Sequence, residues 1–101
     1  MAKRSENLFE FEWNDAKNTL LKEQRNVCFE DVLFAVEGDK ILDIVKNSSE
    51  NHATQYCLIV EISGYAYVVP FVKNGEKFFL KTIFPSRKET KKYLGEKHEK
   101  Q

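Results

Sequence analysis

Apolar residues recur at Phe29, Val32, Leu33 and Val36, the i, i+3, i+4, i+7 spacing of a helix with one buried stripe. The pattern predicts a helix over residues 29–37 ended by Gly38, with Glu30 and Asp31 in the first turn where the helix dipole favours acids. Before it, Asn14 is a plausible N-cap for a helix over 15–24 that puts Trp13, Ala16 and Leu20 on one side, with a turn through Arg25-Asn26. After Gly38 the pattern changes to strands. Residues 41–46 are short and β-branched, the polar stretch 47–55 reads as a loop, and 56–63 pairs with 65–73 through a turn near Gly64. Asn74-Gly75 then leads as a hairpin signal into 76–84. Pro70 cannot donate to a ladder and implies a bulge or a locally unpaired position. A last helix starts at Arg87 and runs to about residue 97, weakened at Gly95.

The expected fold is α+β: two N-terminal helices packed on a four-stranded antiparallel sheet, followed by a C-terminal helix. Residues 1–8 read as a flexible arm, 9–94 as a single domain and 95–101 as a frayed tail. On the last strand, alternation assigns Phe78, Leu80 and Phe84 to the core side. It assigns Lys77, Phe79, Lys81 and Ile83 to a second side that mixes cations with aromatics.

At 101 residues, 42% hydrophobic and 32% charged, the chain suits one globular domain with one modest core. Its formal net charge is zero, so the total does not argue for nucleic acid. The distribution says more: residues 1–70 carry 7 Lys/Arg and 12 Asp/Glu, and residues 71–101 carry 9 and 4, net −5 and +5, a dipole that presents a basic face to RNA or to an acidic partner, or by itself is simply two solvated surfaces. Cys28 and Cys57 lack CxxC spacing and no secretory signal is visible, so reduced cytoplasmic thiols are expected. The longest apolar run, 65–72, is far shorter than a membrane helix. His52 and His98 have no neighbouring ligands at zinc spacing, and the four glycines form no phosphate loop, so neither metal nor cofactor is expected.

The densest chemistry lies in residues 78–93, FFLKTIFPSRKETKKY. Ser86-x-x-Glu89 reads as a capping box, placing Arg87 and Lys88 in a first helical turn whose dipole is already positive. A cation there costs about 0.3–1 kcal/mol, a cost that makes sense beside an anion, and helix N-termini bind phosphate. RNA is cleaved without a metal when its 2′-OH attacks the adjacent phosphate, given a base, an acid and cations for the phosphorane. Arg87 is the best phosphate clamp, being bidentate and permanently charged. Lys81 and Lys88 add positive charge, Tyr93 or Tyr67 would position a base or transfer a proton, and Glu61 would be the base if it faces the same side. Lys91 and Lys92 extend the basic surface, or are simply solvated.

The N-terminal FEWNDAKNTLLKEQRNVCFEDV resembles the opening of the BrnT-like ribonuclease toxins, through Phe11, Trp13, Asp15 or Asn14, Lys17, Lys22, Val27, Phe29 and Glu30. Ile83 with Ser86-Arg87-Lys88-Glu89-Thr90 is similar to that family's basic C-terminal segment. The chain has Arg25-Asn26 where the family has His-Gly, and Cys28 where it has Ser. The resemblance implies a RelE-like fold and an endoribonuclease that inhibits translation as the toxin of a type II toxin–antitoxin system. It also implies a BrnA-like, DNA-binding antitoxin that brings operator DNA to the complex, compatible with a heterotetramer. By position, Lys81 and Arg87 fall where the family places basic residues, and Lys22 and Arg25 stand near its Lys-His. Joined to the residues read above, the catalytic candidates are Arg87, Lys81, Tyr93 and Glu61, and the RNA-binding candidates are Lys88, Lys91, Lys92, Tyr67, Lys22 and Arg25. The alternative is a non-catalytic RNA- or antitoxin-binding module on the same fold.

Overall fold

The computed structural model describes residues 10–46 and 55–99. The expected arm over 1–8, nearly all of the 47–55 loop and the last two residues of the tail lie outside them. The elements run β1 Glu10–Glu12, α1 Asp15–Arg25, α2 Phe29–Glu37, β2 Ile41–Lys46, β3 Gln55–Ile62, β4 Tyr65–Asn74, β5 Lys77–Leu80, β6 Phe84–Pro85 and α3 Arg87–Glu99.

Local chemistry sets the helix ends. Asn14 Oδ1 accepts from the Lys17 N–H at 2.9 Å to start α1, and Asn26 closes it in the left-handed region at φ 58°, which asparagine tolerates. Cys28 is a poor cap, so Asp31 supplies the missing contact by accepting from the Cys28 N–H at 3.0 Å. The first N–H of α2 is met from another helix. Asn18 Oδ1 on α1 accepts from the Phe29 N–H at 2.7 Å, while Asn18 Nδ2 donates to Glu30 Oε1 at 2.9 Å.

Among the described residues the sheet is mixed and has six strands, in place of the four antiparallel strands expected. Its order is β1-β5-β4-β3-β2, with β6 also pairing β4. The antiparallel hairpins lie where the turn signals put them, but β1 adds parallel to β5. Phe11 packs edge-on to Phe78 at 5.5 Å and Lys77 reaches Glu12 at 3.6 Å. A three-residue strand whose partner lies at the far end of the chain leaves no local signature.

The expected strand over 76–84 is split, and Pro70 is the reason. Its carbonyl accepts from the Lys81 N–H at 2.8 Å, so its missing N–H faces the same neighbour, where no return bond forms. Pairing stops after Phe71–Leu80 and resumes at Val68–Phe84. The interruption shifts the alternation. Ile83 turns fully into the core and Phe84 shares the face of Val68, the reverse of strict alternation.

The sheet carries helices on both faces. On one face, Leu21, Val27, Phe29, Val32 and Ala35 pack on Leu58, Val60, Val69, Phe71, Leu80 and Ile83, with Trp13 stacked on Phe29 at 5.4 Å. On the other, a smaller cluster of Ile59, Ala66 and Val68 is joined by Leu42, Cys57 and Tyr93 of α3. None of the helices among the described residues is long and apolar enough to cross a membrane.

Candidate nucleic-acid interface

The first turn of α3 is fastened to the start of β4. Ser86 N–H donates to the Ala66 carbonyl at 3.0 Å and the Ala66 N–H donates to Thr90 Oγ1 at 2.9 Å. Thr90 Oγ1 in turn donates to the Ser86 carbonyl at 2.7 Å. Ser86 Oγ caps the helix by accepting from the Glu89 N–H at 3.1 Å. Only this half of the expected capping box forms, because the sheet takes the Ser86 N–H that Glu89 would have accepted. Glu89 Oε1 is left buried without a hydrogen bond, and its charge adds to burial in pushing the Cys57 thiol up.

This anchoring decides which way the cations point. Residues 89, 90, 93 and 94 face the sheet. Arg87, Lys88, Lys91 and Lys92 are all exposed and span about 140° of the outer surface at 3.6 residues per turn. None of the four is in an ion pair with a described residue. Lys92 Nζ also lies 5.2 Å from the Tyr93 ring centroid. Beside the helix, the β5 side of the same face is open: Phe79 is 38% and Phe84 37% exposed, with exposed Lys81 between them. Ionic and stacking groups therefore share one surface.

The remaining candidates are distributed differently. Tyr93 is half-buried and donates its hydroxyl to Asp43 Oδ2 on β2, away from the cationic row. That bond holds the Asp43 carboxyl below its usual value, helped by the Ile44 N–H, and raises the Tyr93 phenol. Glu61 pairs with Ala66 on the α3 side of the sheet, two strands from Ser86, and no hydrogen bond or ion pair joins it to Arg87. Tyr67, Lys22 and Arg25 belong to the opposite face. Tyr67 lies edge-on to Tyr65 at 6.1 Å. Lys22 contributes, after the Asn18 hydrogen bond, to lowering the Glu30 carboxyl. Arg25 Nη1 donates to the Ile83 carbonyl at 2.6 Å, inside the segment that joins β5 to β6.

Three residues that tie elements together carry weak sequence signals. Asp43 and Thr90 hold α3 on the sheet, the one acid in a β-branched run and a hydroxyl on a charged helix, and Asn18, an amide in mid-helix, joins α1 to α2 on the opposite face. Each is a polar residue where its element alone gives no use for it. Among the described residues no group of three His, Cys, Asp or Glu converges as metal ligands. No protein-family pattern matches the chain, and no curated protein matches it.

Proposed function

We propose that this chain acts on RNA as the BrnT-like toxin of a type II toxin–antitoxin pair, cleaving it without a metal and so inhibiting translation in the cytoplasm. The observation that carries the reading is the outward row Arg87, Lys88, Lys91 and Lys92 beside Phe79, Lys81 and Phe84. Cations hold the phosphates and exposed rings accept unstacked bases, the pairing of groups that single-stranded RNA requires. Arg87, at the positive end of α3, is the clamp on the reacting phosphate, with Lys81 and Lys88 adding charge. In this reading the 2′-oxygen attacks phosphorus as its proton passes to a base, the cations stabilise the phosphorane, and the departing 5′-oxygen takes up a proton. The products are a 2′,3′-cyclic phosphate and a 5′-hydroxyl. Glu61 is the carboxylate on the matching face. Tyr93 acts by holding α3 in place. The cognate antitoxin would be a BrnA-like, DNA-binding protein that covers the basic surface.

A second reading, a non-catalytic RNA- or antitoxin-binding module, is favoured by one observation. The Tyr93 hydroxyl is committed to Asp43 and Tyr67 lies across the sheet, so neither tyrosine converges with Arg87. Incubating the protein with RNA in EDTA, with Arg87→Ala alongside, separates the readings. New cyclic-phosphate ends that disappear in Arg87→Ala support the nuclease. Salt-sensitive retention with intact RNA supports the module. Neither binding nor cleavage at low salt overturns both.

A further inference from the structure

Between Leu80 and Phe84 the backbone leaves the ladder: pairing with β4 ends at Leu80 and resumes at Phe84. Its anchors among the described residues are the Lys81 N–H on the Pro70 carbonyl at 2.8 Å, the Ile83 side chain in the core, and the Ile83 carbonyl on Arg25 Nη1 at 2.6 Å. This short segment delivers Lys81 and Phe84 to the surface beside α3. Arg25 reaches it from the other face of the sheet.

The Arg25 contact bears most directly on Phe84. The Ile83 carbonyl and the Phe84 N–H belong to one planar peptide, so a grip on the carbonyl sets the plane from which Phe84 leaves. On its other side Phe84 is registered on Val68 of β4. Arg25 itself stands on firm ground. Leu21 and Val27, either side of it in the chain, are each 2% exposed in the core, and Asn26 ends α1 directly after it. The helix dipole favours a cation in that last turn, and a charged donor makes a strong bond to a carbonyl.

Resting on the RNA reading above, we infer that Arg25 is a positioning residue for the RNA surface. It orients the ring of Phe84 from the opposite face of the sheet, through the Ile83–Phe84 peptide, and meets no phosphate itself. Phe84 is 37% exposed, so a small turn of that peptide changes how much of the ring is open to a base. Stacking depends on the ring face being presented. A guanidinium in direct contact with RNA would instead neutralise a phosphate, and the two roles differ in their response to salt.

Binding of a fluorescein-labelled 2′-O-methyl RNA, which has no free 2′-hydroxyl to attack with, tests this at several salt concentrations on folded protein. Arg25→Ala is expected to bind about fivefold more weakly, part of what one stacked base contributes, with the log–log salt slope of wild type. Phe84→Ala is expected to weaken binding too, and in that background Arg25→Ala should change affinity less than about twofold. General destabilisation would not produce this coupling, since independent sites add. Arg25→Gln, which removes the charge but keeps a longer side chain, is read by the same slope and coupling should Arg25→Ala fail to fold. A slope flatter by about 0.7 in either variant, the mark of a lost phosphate contact, overturns the inference. So does an Arg25 effect that is absent or persists undiminished in Phe84→Ala, or a Phe84→Ala that binds as tightly as wild type. In each of these cases wild type still binds and the RNA reading stands. Failure of wild type to bind at low salt overturns both.

Discussion

Arg25, in the last turn of α1, donates from Nη1 to the carbonyl of Ile83. A guanidinium expected to meet RNA thereby holds the backbone at the break between β5 and β6, where the fully buried Ile83 side chain enters the core. Arg25→Ala is expected to lower unfolding stability by about 1–2 kcal/mol, the range for a partly exposed charged hydrogen bond. Urea melts measure it. Unchanged stability together with weakened RNA binding would show that the contact contributes little to the fold.

The cations at the start of α3 oppose its dipole, so function and stability are expected to diverge there. Arg87→Ala and Lys88→Ala should each raise stability by a few tenths of a kcal/mol to about 1 kcal/mol. Each should also weaken RNA binding and flatten its salt dependence by about 0.7 in log–log slope for each phosphate the protein no longer neutralises. Thermal melts and binding isotherms at several salt concentrations read the two effects. Lower stability in both variants would mean that these side chains support the fold.

Phe79→Ala and Phe84→Ala test the stacking half of the surface. The loss expected is about 1–3 kcal/mol of RNA affinity for each ring that carries a base, with the salt slope unchanged. Affinity equal to wild type in both variants would leave the open face of β5 outside the interface.

The Tyr93–Asp43 bond predicts a pH window. Asp43 titrates lower in the folded chain than in the unfolded one, so its contribution is complete above the ordinary aspartate range and is lost as pH falls through the depressed value. Tyr93 titrates higher when folded, so its contribution is complete below the ordinary phenol range and fades as pH rises through the raised value. Tyr93→Phe is expected to flatten the stability profile at both ends while leaving the plateau shape near neutrality. An unaltered acid limb would remove the bond from the account.

Asn18 is 8% exposed and satisfies both the Phe29 N–H and Glu30. Asn18→Leu should cost about 1–3 kcal/mol, since it leaves a buried N–H without an acceptor. Asn18→Asp keeps that acceptor but sets a second carboxylate against Glu30, so its deficit should shrink as pH falls into the carboxylate range. Denaturant melts at neutral and acid pH check both.

The helix over 29–37, its stop at Gly38, the strand over 41–46, the turns at Gly64 and Asn74-Gly75 and the start of α3 at Arg87 all follow from spacing and turn residues close together in the chain. So does the outward row on α3, because helical periodicity alone puts Arg87, Lys88, Lys91 and Lys92 side by side. Pro70 is legible as a defect, though not what it does to the neighbouring strand. Tyr93 and Arg25 look ligand-facing in the sequence because each is a chemically suitable residue near cations. Their partners, Asp43 and the Ile83 carbonyl, are distant in sequence and leave no spacing to detect.

Amino-acid order alone determined where helices and hairpins begin and end, since caps, left-handed turns and side-chain periods act over a few residues. Tertiary structure decided the parallel addition of β1, the split between β5 and β6, the placing of α3 opposite α1 and α2, and the face on which Asp43 emerges. Each of these depends on register between separated segments. A one-residue shift there moves a side chain from one face of the sheet to the other, and only packing selects among the registers.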